Sequence, residues 1–146
     1  MTTFSDYMGG DHQRCDQLFA DAEAAVEGGD WQKAGDAHRA FIDGMQHHFG
    51  MEEEVLFPAF EAASGSTMGP TAVMRHEHEQ MRALFAEMDQ ALAQQRADDY
   101  LGASETLLIL MQQHNAKEEQ MLYPMSEQVL AAEQEELLQR MQARGE

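Results

Sequence analysis

Cysteine, basic residues and long apolar runs are all scarce in this chain of 146 residues. Its single cysteine, Cys15, excludes an intramolecular disulfide and any cysteine-rich zinc or iron–sulfur site. Nine Lys and Arg against 27 Asp and Glu give a formal net charge of −18, which disfavours nucleic-acid and anionic-lipid partners. No apolar run approaches the roughly 20 residues needed to cross a bilayer. The first residues, 1–7, lack the basic-then-apolar order of a secretory signal, so we expect a cytoplasmic protein.

Proline and β-branched residues are also scarce, and this bears on the fold. The chain has 3 prolines, and no stretch alternates apolar with polar residues as a half-buried strand does. Ala, Glu, Gln, Met and Leu, which favour helices, fill the long stretches between the glycines. The sequence therefore predicts an all-α protein, and its length suits a single domain over residues 1–146.

Capping residues and helix breakers divide the chain into helices. The punctuating residues are Gly9, Gly10, Gly28, Gly29, Asp30, Pro70, Asp98 and Asp99. Pro58 predicts a bend or a break, and Pro124 an interruption. The predicted helices are Asp11–Glu27, Trp31–Ala63, Thr71–Gln95, one from Asp98 to Tyr123, and a short fifth helix over Gln128–Met141. Short connections between long helices favour an antiparallel up-down four-helix bundle.

The second half of the chain repeats the first at a spacing of 66 residues. Residues 48–58, HFGMEEEVLFP, correspond to residues 114–124, HNAKEEQMLYP. The same spacing relates two earlier histidines, so the chain consists of two copies of a helical hairpin. The repeated polar residues are His12 and His78, His48 and His114, and Glu52 and Glu118.

These six polar residues fall on the otherwise apolar stripes of four helices. Positions i and i+4 lie on the same helical face, so His48 and Glu52 point together, as do His114 and Glu118. An unpaired carboxylate in a bundle core would cost several kcal/mol or would neutralise itself, whereas bound cations remove that cost. We therefore expect a dinuclear metal site with four terminal imidazoles and two bridging glutamates. Nitrogen and oxygen ligands without thiolate favour iron over manganese or zinc.

At these residues the sequence resembles the hemerythrin-like family, the HHE cation-binding domains, from His12 to Pro124. The resemblance implies two irons bridged by both carboxylates and by an oxo or hydroxo group. Oxygen-carrying hemerythrin has a further histidine where this chain has Met74, and its last carboxylate is an aspartate. The six-residue pattern is closer to the di-iron domain of iron–sulfur cluster repair proteins, which respond to nitrosative and oxidative stress.

Several neighbouring residues leave alternatives open. Glu53 and Glu119 follow the two glutamates and are solvated neighbours, unless one of them is the true ligand. His76 is exposed, unless an irregular helix makes it a fifth nitrogen ligand. Cys15 fits either a small buried hydrophobic residue or a thiol with a redox role near the metals. His38, whose counterpart in the repeat is Ser104, is best interpreted as a hydrogen-bonded core histidine.

The expected function follows from the open positions that six protein ligands leave on two metal ions. We expect a small diatomic or a peroxide (dioxygen, nitric oxide or hydrogen peroxide) to bind there, for sensing, carriage or detoxification. Peroxide or nitric oxide turnover would make the protein an enzyme with an electron donor as partner. The alternative is an iron donor for cluster repair, which would need an apo-protein acceptor.

Overall fold

The computed structural model describes residues 2–144, and within that range every regular element is helical. Two π-helical turns, Glu52–Leu56 and Glu118–Leu122, continue one α-helix into the next without a break. The α-helices are α1 (Phe4–Glu27), α2 (Trp31–Met51), α3 (Phe57–Ser64), α4 (Pro70–Ala93), α5 (Ala97–Lys117), α6 (Tyr123–Val129) and α7 (Gln134–Ala143). The all-α prediction is confirmed.

The long helices form the four-helix bundle that the sequence predicts. Helix α1 packs along α2, and α4 packs along α5; these pairs are the two hairpins of the repeat. Helix α1 also contacts α5, and α2 contacts α4, which closes the bundle. The short α7 packs against α1 and the first π-helical turn, and its Gln134 side chain accepts a hydrogen bond from the Phe4 backbone N–H at 2.9 Å.

Some predicted helix boundaries are wrong. Helix α1 begins before Gly9 and Gly10, at Phe4, because Thr3 and Asp6 form a capping box. Asp98 and Asp99 lie inside the first turn of α5, so neither of them is its N-cap. Their negative charges stabilise the helix N-terminus through the helix dipole. The last helix begins at Gln134, later than predicted, because turns separate it from α6. Asp30 does cap α2, since its side chain accepts from the Lys33 N–H.

The π-helical turns explain how two prolines fit inside continuous helices. Pro58 and Pro124 carry no N–H, and in an α-helix each would crowd the carbonyl four residues earlier. The preceding N–H groups reach back five residues, Phe57 to Glu52 and Tyr123 to Glu118. The bend or break predicted at Pro58 and the interruption predicted at Pro124 are thus single widened turns, and each begins at a glutamate of the repeat.

Two apolar regions fill the bundle and leave a polar layer between them. One region contains Phe19, Phe41 and Phe85. The other contains Phe4 and Phe57 together with the apolar face of α7. On α1, α2 and α4, and on α5 together with the π-helical turn that continues it, the repeated histidine falls between residues of the first region and residues of the second. None of the helices within residues 2–144 combines the length and the apolarity that a membrane span requires.

Candidate metal centre

The structure brings the six repeated polar side chains together in this layer. Each of α1, α2, α4 and α5 contributes one histidine, and each π-helical turn contributes its first residue, a glutamate. All six are nearly inaccessible to solvent: His12 4%, His48 2%, His78 0%, His114 2%, Glu52 0% and Glu118 0% exposed. The one-turn spacing of each His–Glu pair directs both side chains into the bundle.

Each buried carboxylate faces two halves of the cluster, with one oxygen toward each half. The first half contains His12 and His48. The Nε2 of His12 lies 3.0 Å from Glu118 Oε1, and the Nε2 of His48 lies 3.5 Å from Glu52 Oε2. The second half contains His78 and His114. The Nε2 of His78 lies 3.1 Å from Glu52 Oε1, and the Nε2 of His114 lies 3.3 Å from Glu118 Oε2. A carboxylate shared in this way has the geometry of a bridge between two cations.

The second half contains four buried polar atoms without a hydrogen-bond partner. They are Glu52 Oε1, Glu118 Oε2, His78 Nε2 and His114 Nε2. An unsatisfied buried polar atom costs about 1–3 kcal/mol, and more when it is charged. Donor atoms from these four residues lie within 4.8 Å of one another, and so do donor atoms from His12, His48 and Glu118. Both halves therefore fit a metal ion, because a cation would satisfy every one of these atoms at once.

In the metal-free chain, protons on His48 and His114 balance the buried carboxylates. Burial alone would raise the pKa of Glu118, but the charge of His114 and several hydrogen bonds hold that pKa well below its ordinary value. Burial would lower the pKa of His114, but the charge of Glu118 raises it to about 9. The pKa of His48 also lies well above its ordinary value, because Glu52 opposes the effect of burial. Protons and metal ions therefore compete for the same nitrogens.

An outer carboxylate accepts a hydrogen bond from the Nδ1 of each histidine. These bonds fix the tautomer that directs Nε2 toward the centre, and such partners raise the affinity of metal-binding histidines. The pairs are His12–Glu119 at 2.6 Å, His48–Asp11 at 2.8 Å, His78–Glu53 at 2.7 Å and His114–Glu77 at 2.8 Å.

The sequence reasoning missed these outer carboxylates. The expectation that Glu53 and Glu119 are solvated neighbours holds for Glu119, which is exposed, but it is incomplete, because each carboxylate also contacts the outer nitrogen of a histidine. Neither residue lies among the buried donor atoms of the centre. The sequence predicts no role for Asp11 or Glu77. The repeat carried the signal for these four acids, since Asp11 and Glu77, like Glu53 and Glu119, are separated by the same 66 residues as the histidines.

Basic side chains hold three of the outer carboxylates in place. Arg82 donates two hydrogen bonds to Glu53, both at 2.9 Å, and Lys117 contacts Glu77. Burial opposes ionisation of both glutamates, but these contacts lower the pKa of each one. Asp11 likewise accepts from the Arg14 side chain at 2.8 Å. Three of the histidines, His48, His78 and His114, are therefore oriented by acceptors that basic side chains hold in place.

Tyr123 is a further residue of the centre that sequence reasoning missed. Its fully buried hydroxyl donates to Glu52 Oε2 at 2.7 Å and lies 2.9 Å from Glu118 Oε1. It also lies 3.3 Å from His12 Nε2 and 3.4 Å from His48 Nε2. The signal was the aromatic position just before the proline of the motif, which is Phe57 in the first copy and Tyr123 in the second.

The remaining candidates lie outside the centre. His38 is buried and bonded to the Tyr100 hydroxyl at 2.8 Å and to Asp89, as expected of a core histidine. His76 is exposed, so the structure gives no support to a fifth nitrogen ligand there. Cys15 is 2% exposed, and burial raises its pKa to about 11, which keeps the thiol neutral.

Comparison with known proteins agrees with this geometry. Residues 3–126 match the family model described as the hemerythrin HHE cation binding domain. That range contains all six residues of the centre, their four outer carboxylates and Tyr123. No curated protein matches the chain, and no solved structure matches it.

Proposed function

The chain belongs to the hemerythrin HHE cation-binding domain family, and from that premise we propose that it is a non-haem di-iron protein that binds or reacts with dioxygen, nitric oxide or peroxide. The proposed terminal ligands are His12, His48, His78 and His114, and the proposed bridges are Glu52 and Glu118. The observation that carries the proposal is the pair of fully buried carboxylates, each with one oxygen toward each pair of histidines.

The donor set supports iron as the metal. Four imidazole nitrogens and shared carboxylate oxygens, without thiolate, suit a redox-active first-row metal. When bound, an iron pair supplies redox chemistry and open positions for a small ligand. The acidic surface of the chain, with its net charge of −18, also favours the approach of cations.

Apolar side chains restrict what can reach the centre. The Phe49 ring stacks on His78 with ring centroids 3.9 Å apart, and Phe57 covers the same imidazole at 5.6 Å. Further apolar side chains extend this wall on the side of the first apolar region: Met45, Met81, Phe85 and Met111. Such a wall excludes bulk water and favours small, weakly polar ligands over ionic or large ones.

A second candidate is an iron donor for cluster repair. Its support is the ligand pattern, because the third bundle helix carries buried Met74 at the position where oxygen-carrying hemerythrin has a further histidine. A centre with one histidine fewer holds its metal less tightly, and this favours release to an acceptor.

Rapid-mixing spectroscopy separates these functions. Reduced, iron-loaded protein is mixed anaerobically with dioxygen, nitric oxide or hydrogen peroxide, and its visible spectrum is followed with and without a reductant. A carrier or sensor gives a stable, reversible spectrum, whereas an enzyme consumes its ligand repeatedly. A donor transfers iron to an apo iron–sulfur acceptor faster than to a chelator of equal affinity. An iron-loaded spectrum that none of the three ligands changes would contradict the proposal.

A further inference from the structure

The two halves of the centre differ, and the difference lies in one hydroxyl group. We propose that Tyr123 is a seventh protein ligand, bound through its phenolic oxygen to the iron held by His12 and His48. The open position for an external ligand then lies on the other iron, beside Phe57. This inference rests on the proposed di-iron function and assigns distinct roles to the two metal ions.

The first argument is the position of the hydroxyl oxygen. It lies within 3.4 Å of two imidazole nitrogens and two carboxylate oxygens, one from each of His12, His48, Glu52 and Glu118. These four atoms are the donors of the first half of the centre. A buried oxygen that already contacts every donor atom of a metal site is placed to become a ligand of that site.

The second argument is a comparison between the halves. The Tyr123 ring lies 5.7 Å from His12 at an interplanar angle of 29°, and the Phe57 ring lies 5.6 Å from His78 at 23°. The repeat thus places two aromatic rings equivalently, one against each half. Only the ring of the first half has a hydroxyl, so only that half gains an oxygen donor.

The third argument is the distribution of unpartnered atoms. Glu52 Oε2 and Glu118 Oε1, which face the first half, both contact the Tyr123 hydroxyl. The atoms without a partner all face the second half, where Phe57 offers nothing to them. The second half therefore has the fewer protein donors, and its metal ion has the position that an external ligand can take.

The coordination step is chemically simple. The phenolic O–H bond breaks, the oxygen forms a bond to iron(III), and the proton leaves to solvent. No electron is transferred in this step. The Glu52 oxygen that accepted the hydrogen bond from this hydroxyl is then free to bind the same metal ion.

Visible and resonance Raman spectroscopy of the iron(III)-loaded chain tests the inference. A tyrosine bound to iron(III) gives a charge-transfer band in the visible and enhanced ring vibrations under excitation in that band. We expect both signals in the wild-type chain and their complete loss in Tyr123→Phe, with the iron count per chain unchanged. Wild-type protein that holds two irons without these signals would overturn the inference and leave the di-iron proposal standing.

One double variant keeps the test decisive. The chain has 3 tyrosines, so Tyr7→Phe/Tyr100→Phe leaves Tyr123 alone. If Tyr123→Phe fails to fold or to bind iron, persistence of the signals in the double variant supports the inference, and their loss contradicts it. Signals that persist in Tyr123→Phe also contradict it.

Azide binding tests the second part of the inference. Phe57→Tyr adds a hydroxyl at the equivalent position of the second half. We expect it to retain two irons, to strengthen the charge-transfer band and to abolish the change that azide causes in the wild-type spectrum. Unaltered azide binding in a variant that holds two irons would contradict the assignment of the open position. A chain that binds no iron at all would overturn this inference and the proposed function together.

Discussion

At the scale of single residues, the two buried glutamates determine what the centre can do. A carboxylate that is 0% exposed needs a counter-charge, and in the metal-free chain protonated histidines supply it. Because each glutamate reaches both halves, one substitution alters both halves of the centre. The outer carboxylates differ from these two glutamates, since each one contacts a single histidine of the centre and acts by orienting that imidazole.

The glutamates Glu118 and Glu119 are adjacent in sequence but differ in role, and matched substitutions separate them. We expect Glu118→Gln to weaken iron binding by more than about 100-fold, because it removes a charged bridge between both halves. Glu119→Gln should weaken binding by only about 10–100-fold, because Glu119 supports His12 from outside. Iron titration of both variants measures this difference. Equal effects, or a larger effect in Glu119→Gln, would contradict the assignment of the bridge.

The repeated outer acids give a second residue-level prediction. Asp11→Asn and Glu77→Gln should each weaken iron binding by about 10–100-fold, because His48 and His114 lose their charged acceptors. Asp21→Asn is the matched control: it makes the same chemical change on α1 at an exposed residue. Binding isotherms in which all three variants match the wild type would exclude a supporting role for the outer acids.

The sequence predicted the inner residues better than the outer ones, for a physical reason. His12, Glu52 and their counterparts stand out because polar residues interrupt apolar helical stripes. Glu53 and Glu119 lie among many other acids, and a sequence with 27 acidic residues does not distinguish an acceptor for histidine from a solvated side chain. Only their three-dimensional contacts, or the 66-residue repeat read for acids as well as histidines, identify them.

At the scale of secondary structure elements, the π-helical turns set the geometry of the centre. Each begins at one of the two buried glutamates and ends just before the Phe-Pro or Tyr-Pro pair. The widened turn lets a proline stay in a continuous helix, and it places Glu118 and Tyr123 in contact although they are five residues apart. Sequence periodicity at 3.6 residues per turn contains no signal for such a turn, so the sequence predicted a bend or a break at Pro58 and an interruption at Pro124 instead.

Helix capping gives a prediction at this scale. Asp30→Ala should lower the free energy of unfolding by about 0.5–2 kcal/mol, because the Lys33 N–H loses its acceptor. Asp30→Ser should recover most of that loss. Iron content should stay at the wild-type level, because the cap lies roughly 25 Å along α2 from His48 at about 1.5 Å per residue. Denaturant unfolding with iron analysis checks both, and loss of iron in the alanine variant would contradict the separation of cap and centre.

At the scale of the whole molecule, the pseudo-symmetric bundle couples stability to protonation. The pKa of His114 is about 9 in the folded metal-free chain, against an ordinary value of 6.5. A histidine whose pKa is raised by folding stabilises the folded chain fully when the pH is below the ordinary pKa. That stabilisation is lost as the pH rises through the pKa of the folded state. The lowered pKa of Glu118 contributes in the opposite sense, and its contribution is lost only in acid.

We therefore expect the metal-free chain to become less stable between about pH 6.5 and 9. Iron affinity should rise over the same window, because fewer protons must be displaced from the imidazoles. Denaturant unfolding of the metal-free chain and iron titrations across this range measure the two trends. His114→Asn should flatten the stability profile, whereas the exposed control His76→Asn should not. A free energy of unfolding that increases with pH in the wild type would contradict the assigned charge pairing.

The central claim is that this bundle holds two irons between its histidines and its shared glutamates. The most direct test is the number of irons per chain after anaerobic reconstitution of the wild type with iron(II) and removal of loosely bound metal. We expect two irons per chain, one for each half of the centre. One iron or fewer per folded chain would contradict it.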